Sequence, residues 1–160
     1  MLRIRHATCE DVPALLGLIR GLAAYEKKPG AVLATGEDLV RDLFGPRPKF
    51  RALIADWENE PAGYASFFDF YSTYQGRSAL FLEDLFVLEK FRGQGIGTAL
   101  LAAVARLAIA EGCCGLRWEV LDWNRRAIEF YEKLGAKFLL ERKVVAFDRE
   151  ATRRVAEKEE

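Results

Sequence analysis

Leu2, Ile4 and His6 alternate with Arg3 and Arg5 at the start of the chain, the period-two pattern of a short strand with one apolar face. Thr8-Cys9-Glu10-Asp11 then reads as a capping box with Asp in the place of Glu, and a helix follows to about Tyr25. Lys27-Lys28-Pro29-Gly30 breaks that helix, and Thr35-Gly36-Glu37-Asp38 opens a second, short one that stops at Gly45-Pro46. Residues 51–57 and 63–71 are β-rich around an Asn59-Glu60-Pro61 turn. The apolar run 80–88 follows a Gln75-Gly76 turn, so the three segments predict an antiparallel meander. Ile96, Leu100, Val104 and Leu107 recur at helical spacing, which predicts a helix over residues 98–111 with a buried stripe and Gly112 at its end. Leu116, Trp118 and Val120 share one strand face, Asn124 can N-cap the next helix and Gly135 can stop it. Two further strands are expected near residues 137–140 and 143–147, before a charged tail, 149–160, that should fray. This alternation predicts an α+β domain around a single mixed, mostly antiparallel sheet of about seven strands with about four helices.

With 160 residues the chain is long enough for one domain, placed here at 1–148 ahead of the tail, to bury its own core without metal or disulfide help. Lys+Arg and Asp+Glu both number 24, so no basic footprint for nucleic acid exists. The first residues lack an apolar signal core, and no apolar run approaches the roughly 20 residues of a membrane span, so a cytoplasmic protein without membrane contact is expected. Cys9, Cys113 and Cys114 are odd in number and suit neither an ordinary bridge nor metal spacing, which predicts buried free thiols. His6 is the sole histidine. It reads as a core or strand-edge residue, leaving little material for a histidine metal site or a Ser-His-Asp relay, and no metal is expected.

Between the apolar run and the helix that follows it lies Arg92-Gly93-Gln94-Gly95-Ile96-Gly97. Glycines this close together remove side chains that would block a ligand, so backbone N–H groups can point at an anion while the helix adds the positive end of its dipole. The loop is suited to phosphate. A dinucleotide fingerprint would need a further glycine at Thr98 and a triphosphate-binding loop would need Gly-Lys-Ser/Thr, and neither is present.

Arg92, Gly95 and Gly97 fall in the Arg/Gln-x-x-Gly-x-Gly/Ala pattern of a pyrophosphate loop, and Asn124 opens a segment that runs through Phe130-Tyr131 to Gly135-Ala136. These two ordered motifs, with Tyr25-Glu26 and Leu82-Glu83-Asp84-Leu85-Phe86-Val87 upstream, resemble the GNAT superfamily of N-acetyltransferases, in particular its spermidine/spermine (diamine) and thialysine branch. The resemblance extends from Ile4 to about Phe138. It implies the GNAT fold, a sheet splayed by a bulge at the cofactor cleft, acetyl-CoA as co-substrate and a homodimer. It places the N–H groups of Gly93, Gln94, Gly95, Ile96, Gly97 and Thr98 on the pyrophosphate with Arg92 near it. Those around Leu85, Phe86 and Val87 would meet the acetyl and pantetheine part, and Asn124, Arg126 and Tyr131 would also contact the cofactor. Tyr25, Glu26, Glu83, Asp84 and Glu119 match substrate-contacting positions.

Acetyl transfer to an amine by direct attack in a ternary complex needs an anchored thioester, a deprotonated amine and an acid for the leaving thiolate. A primary amine with a pKa of about 10 is protonated at neutral pH, so a base must act first. Glu83, inside the apolar strand that leads into the glycine loop, is the candidate base, through a bound water. Asp84 points to the opposite face of a regular strand and can share the site only across a bulge. Tyr131 matches the family's general acid: a phenol of pKa about 10 can protonate a thiolate whose parent lies at about 8.5. Phe130 is then expected to fill the core while Tyr131 faces the cleft. The acceptor the resemblance implies is a small cationic amine, whether diamine, polyamine or lysine-like amino acid; segment 71–76 is shorter than its counterpart in the polyamine enzymes and lacks the Asp-Pro step, and residues 142–145 lack a tryptophan, which counts against spermidine and leaves a smaller diamine or a lysine-like amino acid open. Acetylation of a protein amine and a non-catalytic acyl-CoA sensor remain as alternatives, although a sensor has no reason to keep both Glu83 and Tyr131.

Overall fold

Residues 1–158 are described by a computed structural model. They form two compact units, one of Met1–Glu119 and one that begins at Val120. The first contains one five-stranded mixed sheet in the order β1-β2-β3-β4-β5, and the chain is α+β with five α-helices among the described residues.

The alternating start forms β1 (Leu2–His6), an edge strand antiparallel to β2 (Arg51–Trp57), with His6 exposed at its end. Thr8 and Asp11 complete the capping box, the Thr8 N–H donating to the Asp11 carboxylate at 2.7 Å, and α1 (Val12–Tyr25) follows. Thr35 and Asp38 form a second capping box at the start of α2 (Gly36–Phe44). Glu58 and Asn59, both left-handed at φ 52° and 68°, make the tight turn from β2 into β3 (Glu60–Ser72). The turn thus sits one residue earlier than expected, and Pro61 falls inside β3 beside a register shift that spares it a ladder hydrogen bond. β4 (Arg77–Val87) completes the meander, antiparallel to β3, and β5 (Leu116–Trp118) joins it in parallel.

Helices cover both faces of this sheet. On one, Leu15 and Leu18 of α1 and Leu39 and Leu43 of α2 pack with Ile54, Tyr64 and Phe86. Each large apolar side chain buried there contributes roughly 1.5–3 kcal/mol. Gly21 lets α1 sit directly on the sheet, because a Cβ there would stand 2.9 Å from the Phe86 ring. The other face meets α3 (Ile96–Ala110), whose stripe is Ile96, Leu100, Val104 and Ala108. Leu107 is only partly buried, and the helix begins two residues before the expected start because Gly95 already serves as its N-cap. Gly112, at φ 71°, follows its end.

The second unit holds α4 (Arg125–Lys133) and α5 (Arg149–Ala156). Residues 137–140 and 143–147 are not strands, and no ladder partner for them exists among the described residues, so their apolar pattern alone does not make sheet. The charged tail is helical through residue 156 rather than frayed: Asp148 caps it by accepting from the Ala151 N–H at 2.7 Å, and Glu150 pairs with Arg154 one turn on. The cysteines are free but not buried, Cys9 and Cys114 being exposed and Cys113 half-buried, because Cys9 opens a short 3-10 helix at the surface and the other two lie in the connection between α3 and β5. Among the described residues no helix is long and apolar enough to cross a membrane.

Candidate active site

A bulge in β4 brings the site acids to one place. Ser66 stands opposite Asp84 and its neighbour Phe67 opposite Leu82, so Glu83 is the extra residue of β4. Without it Glu83 and Asp84 would face opposite sides of the sheet. With it both line one cavity of about 360 Å³ on the α1 side, walled by Leu15, Ile19 and Phe50 with Phe68. Tyr64, Ser66 and Lys49 complete the lining. The Ser66 hydroxyl donates to Asp84 Oδ2 at 2.7 Å.

Four of the expected substrate residues converge electrostatically. Burial first, then the charges of Asp84, Glu119 and Glu26, raise the pKa of Glu83 above the ordinary carboxylate range. Burial and then Asp84 raise Glu26, while Lys28 pulls it down. Burial likewise raises Asp84, against hydroxyl partners that lower it. A set of carboxylates that destabilise one another's charge is a receptor for a cation and a source of bases poised nearer neutrality.

The bulge also ends the sheet locally. β4 pairs with β5 only at Leu80, Phe81 and Leu82, which leaves the β4 edge at residues 83–87 open on that side. The Val87 carbonyl on this edge accepts from Arg92 Nε at 2.9 Å, and by alternation Leu85 shares the edge whereas Phe86 lies in the core cluster. Arg92 is the unexpected member of the loop. Its guanidinium lies 4.6 Å from the Tyr25 ring centroid and 5.6 Å from that of Phe86, so the side chain braces the loop against α1 and β4.

Gly93 and Gly95 are left-handed at φ 81° and 76°, a conformation that disfavours any side chain. A Cβ at either would meet no atom within 4 Å, so the approach to the backbone is open. Gln94 is exposed beside them. Ile96, Gly97 and Thr98 form the first turn of α3, where N–H groups have no intrahelical acceptor, and N-cap Gly95 has no side chain to supply one. These donors and the helix dipole fit a pyrophosphate.

In the second unit Asn124 caps α4, its side chain accepting from the Ala127 N–H at 3.3 Å, and Arg126 is exposed one turn-position on. Tyr131 is 8% exposed and is the buried residue of α4, whereas Phe130 is only partly buried, with ring centroids 5.2 Å apart. The expectation that Phe130 fills the core is not met, since Tyr131 is the more buried of the two rings. Burial pushes the Tyr131 pKa up to about 12.

An acetyltransferase (GNAT) family model matches residues 21–136 of the chain. The chain belongs to the GNAT family of acetyltransferases. It is 40% identical to the thialysine N-epsilon-acetyltransferase of Bos taurus, over 97% of each chain. It is 30% identical to an L-ornithine N5-acetyltransferase of Arabidopsis thaliana, over 87% of this chain and 81% of that one. Among solved structures, an integron cassette protein from the V. cholerae mobile metagenome superposes with a TM-score of 0.83 at 24% identity, covering 98% of both chains. The protein is an N-acetyltransferase.

Three residues that shape this enzyme's cavity escape sequence reasoning. Lys49 lies in a loop with no motif. Tyr64 and Ser66 lie in a strand whose buried positions read as core, and the one available signal is Ser66, a hydroxyl amid apolar neighbours in a run that is buried throughout.

Proposed function

We propose that this N-acetyltransferase acetylates the side-chain amine of a small basic amino acid or short diamine, with acetyl-CoA as donor in a ternary complex. The observation that carries the reading is the β4 bulge, which sets Glu83 and Asp84 together in one cavity within the field of Glu26 and Glu119. Four acids concentrate a cation there. Glu83, its pKa raised toward neutrality, takes a proton from the bound ammonium, through a water, and leaves the amine lone pair free to attack. The loop N–H groups at residues 93–98 and the open β4 edge at Leu85 and Val87 hold the donor, with Asn124 and Arg126 as further contacts. Bound acetyl-CoA supplies the electrophilic acyl carbon and a thiolate leaving group. Tyr131, protonated at neutral pH as a phenol is, gives its proton to that thiolate, and the proton that the attacking nitrogen sheds on becoming an amide restores the phenol. Each role is filled by a side chain or backbone group, so the proposed step needs no metal.

Two observations favour a basic amino acid over a polyamine. Lys49 lines the same cavity as the acids, and its ammonium repels a second amine but suits a carboxylate. Relatives named for thialysine and L-ornithine act on acceptors with that pairing of amine and carboxylate. Tyr25, beneath Arg92, completes the approach from α1. A homodimer is proposed with this reading. Its support is the unladdered stretch in which Leu140, Val144, Val145 and Phe147 are 88%, 72%, 87% and 64% exposed, a set of apolar side chains that a second copy would cover.

Thiol release from acetyl-CoA, measured with thialysine, L-lysine, L-ornithine, putrescine, spermidine and a basic peptide, tests the acceptor. The amino acids should give the highest kcat/KM and spermidine a much lower one. Turnover of the peptide alone, or of none of them, overturns the reading.

A further inference from the structure

The Tyr64 hydroxyl is the one buried side-chain oxygen or nitrogen without a hydrogen-bond partner among the described residues, and Tyr64 is 0% exposed. Leaving a buried hydroxyl unpaired is costly, so a folded protein keeps one where a ligand satisfies it. Tyr64 is part of the wall of the acceptor cavity. It lies two residues from Ser66 on β3 and so shares its face, and Ser66 stands across the ladder from Asp84. The Ser66 hydroxyl already engages Asp84 Oδ2, which fixes the carboxylate and leaves Oδ1 for a second donor. Burial first, then the Asp84 charge and a hydroxyl–carboxylate interaction with Asp84, keep the phenol protonated, so Asp84 lies within reach of its proton. It therefore has a proton to give and a lone pair to offer.

We infer that Tyr64 is a substrate-binding residue whose hydroxyl accepts a hydrogen bond from the acceptor's ammonium while donating its own to Asp84, with Ser66 positioning that carboxylate. This rests on the acetyl-transfer reading above. A primary ammonium matches the arrangement because it brings donors only: it satisfies the phenol lone pair and the Asp84 charge together, whereas a carboxylate would meet Asp84 head-on.

The test compares wild-type enzyme with Tyr64→Phe and Ser66→Ala in steady-state acetylation of L-lysine and cadaverine, alongside melting temperatures of the free proteins. Tyr64→Phe should raise the acceptor KM about ten- to a hundredfold, with kcat and the acetyl-CoA KM changed less than about threefold, since a hydrogen bond to a charged group is lost. Its melting temperature should stay within a few degrees of wild type, because the hydroxyl makes no hydrogen bond of good geometry in the free protein. Ser66→Ala should raise the acceptor KM by a smaller factor. If wild-type enzyme acetylates these amines and Tyr64→Phe keeps the wild-type acceptor KM, the inference falls and the functional reading stands. Lower stability with equal rises in both KM values also overturns it, by making Tyr64 structural. If wild-type enzyme acetylates no small primary amine, the functional reading fails, and the inference with it.

Discussion

At the residue scale, the proposed chemistry depends on single atoms and backbone angles. Gly95 is left-handed at φ 76° and N-caps α3 without crowding, so a side chain there is opposed by backbone strain of roughly 1–2 kcal/mol and by obstruction of the donors behind it. Gly95→Val should remain folded, a few degrees less stable, and lose acetyl-CoA binding by calorimetry; unchanged affinity would remove the loop from the cofactor site. Tyr131→Phe keeps the ring beside Phe130 and removes the hydroxyl proposed as the acid. Turnover should fall about 10²-fold or more with little change in CoA affinity, because the lost interaction belongs to the transition state. With its pKa at about 12, Tyr131 should contribute no alkaline limb to the rate profile below pH ~10, and a tyrosine-dependent limb there would contradict its burial. Glu83, Asp84, the glycines and Asn124 were legible because each occupies a motif position or a cap. Tyr64 was not, because a tyrosine in an apolar strand reads as core until the structure shows its hydroxyl unpaired. Arg92 was legible as a loop member but not as a brace, since its stacking on Tyr25 joins residues distant in sequence.

At the element scale, local signals located most of the fold. The capping box at Thr8, the helix start at Thr35 and the alternation of β1 each depend on neighbours within a turn or two and formed where the pattern placed them, and the α3 stripe formed at Ile96, Leu100 and Val104 though not at Leu107. What failed depends on partners. The segments 137–140 and 143–147 have strand-like composition and no ladder, and α5 formed because Asp148 and the Glu150–Arg154 pair stabilise it from within. The bulge in β4 followed from family resemblance rather than from any local residue, since neither Glu83 nor Asp84 forces it. Arg5 links elements in a way the sequence did not announce: it donates to Asp11 at 2.7 and 2.8 Å and to Asp56 at 2.7 Å, tying β1, the start of α1 and β2. Removing it strands two buried acids, so Arg5→Ala should destabilise by roughly 2–4 kcal/mol in urea or thermal unfolding. A loss within error would mean that the acids find other partners. Arg5 lowers the Asp11 pKa to about 2, so this contribution is present above the unfolded value and is lost as pH falls from about 4 toward 2.

At the scale of the whole molecule, two sets of acids have opposite effects. Asp11 and Asp56 are paired with Arg5 and hold the fold, whereas Glu26, Glu83 and Asp84 are gathered at a cost that the raised pKa values express. A fold that tolerates such a cluster spends stability on a site for a cation and for removal of its proton. The most direct measurement of that claim is the pH dependence of kcat/KM for L-lysine acetylation by wild-type enzyme and by Glu83→Gln. In the wild type the rate should fall as pH drops through the Glu83 pKa, with a midpoint above the ordinary value of 4.5 because that pKa is raised. In Glu83→Gln it should be lower by roughly 10²–10⁴-fold near neutrality and recover toward wild type as pH approaches the amine's own pKa of about 10. A variant profile parallel to wild type, with only KM altered, would contradict the account and leave Glu83 as a binding residue.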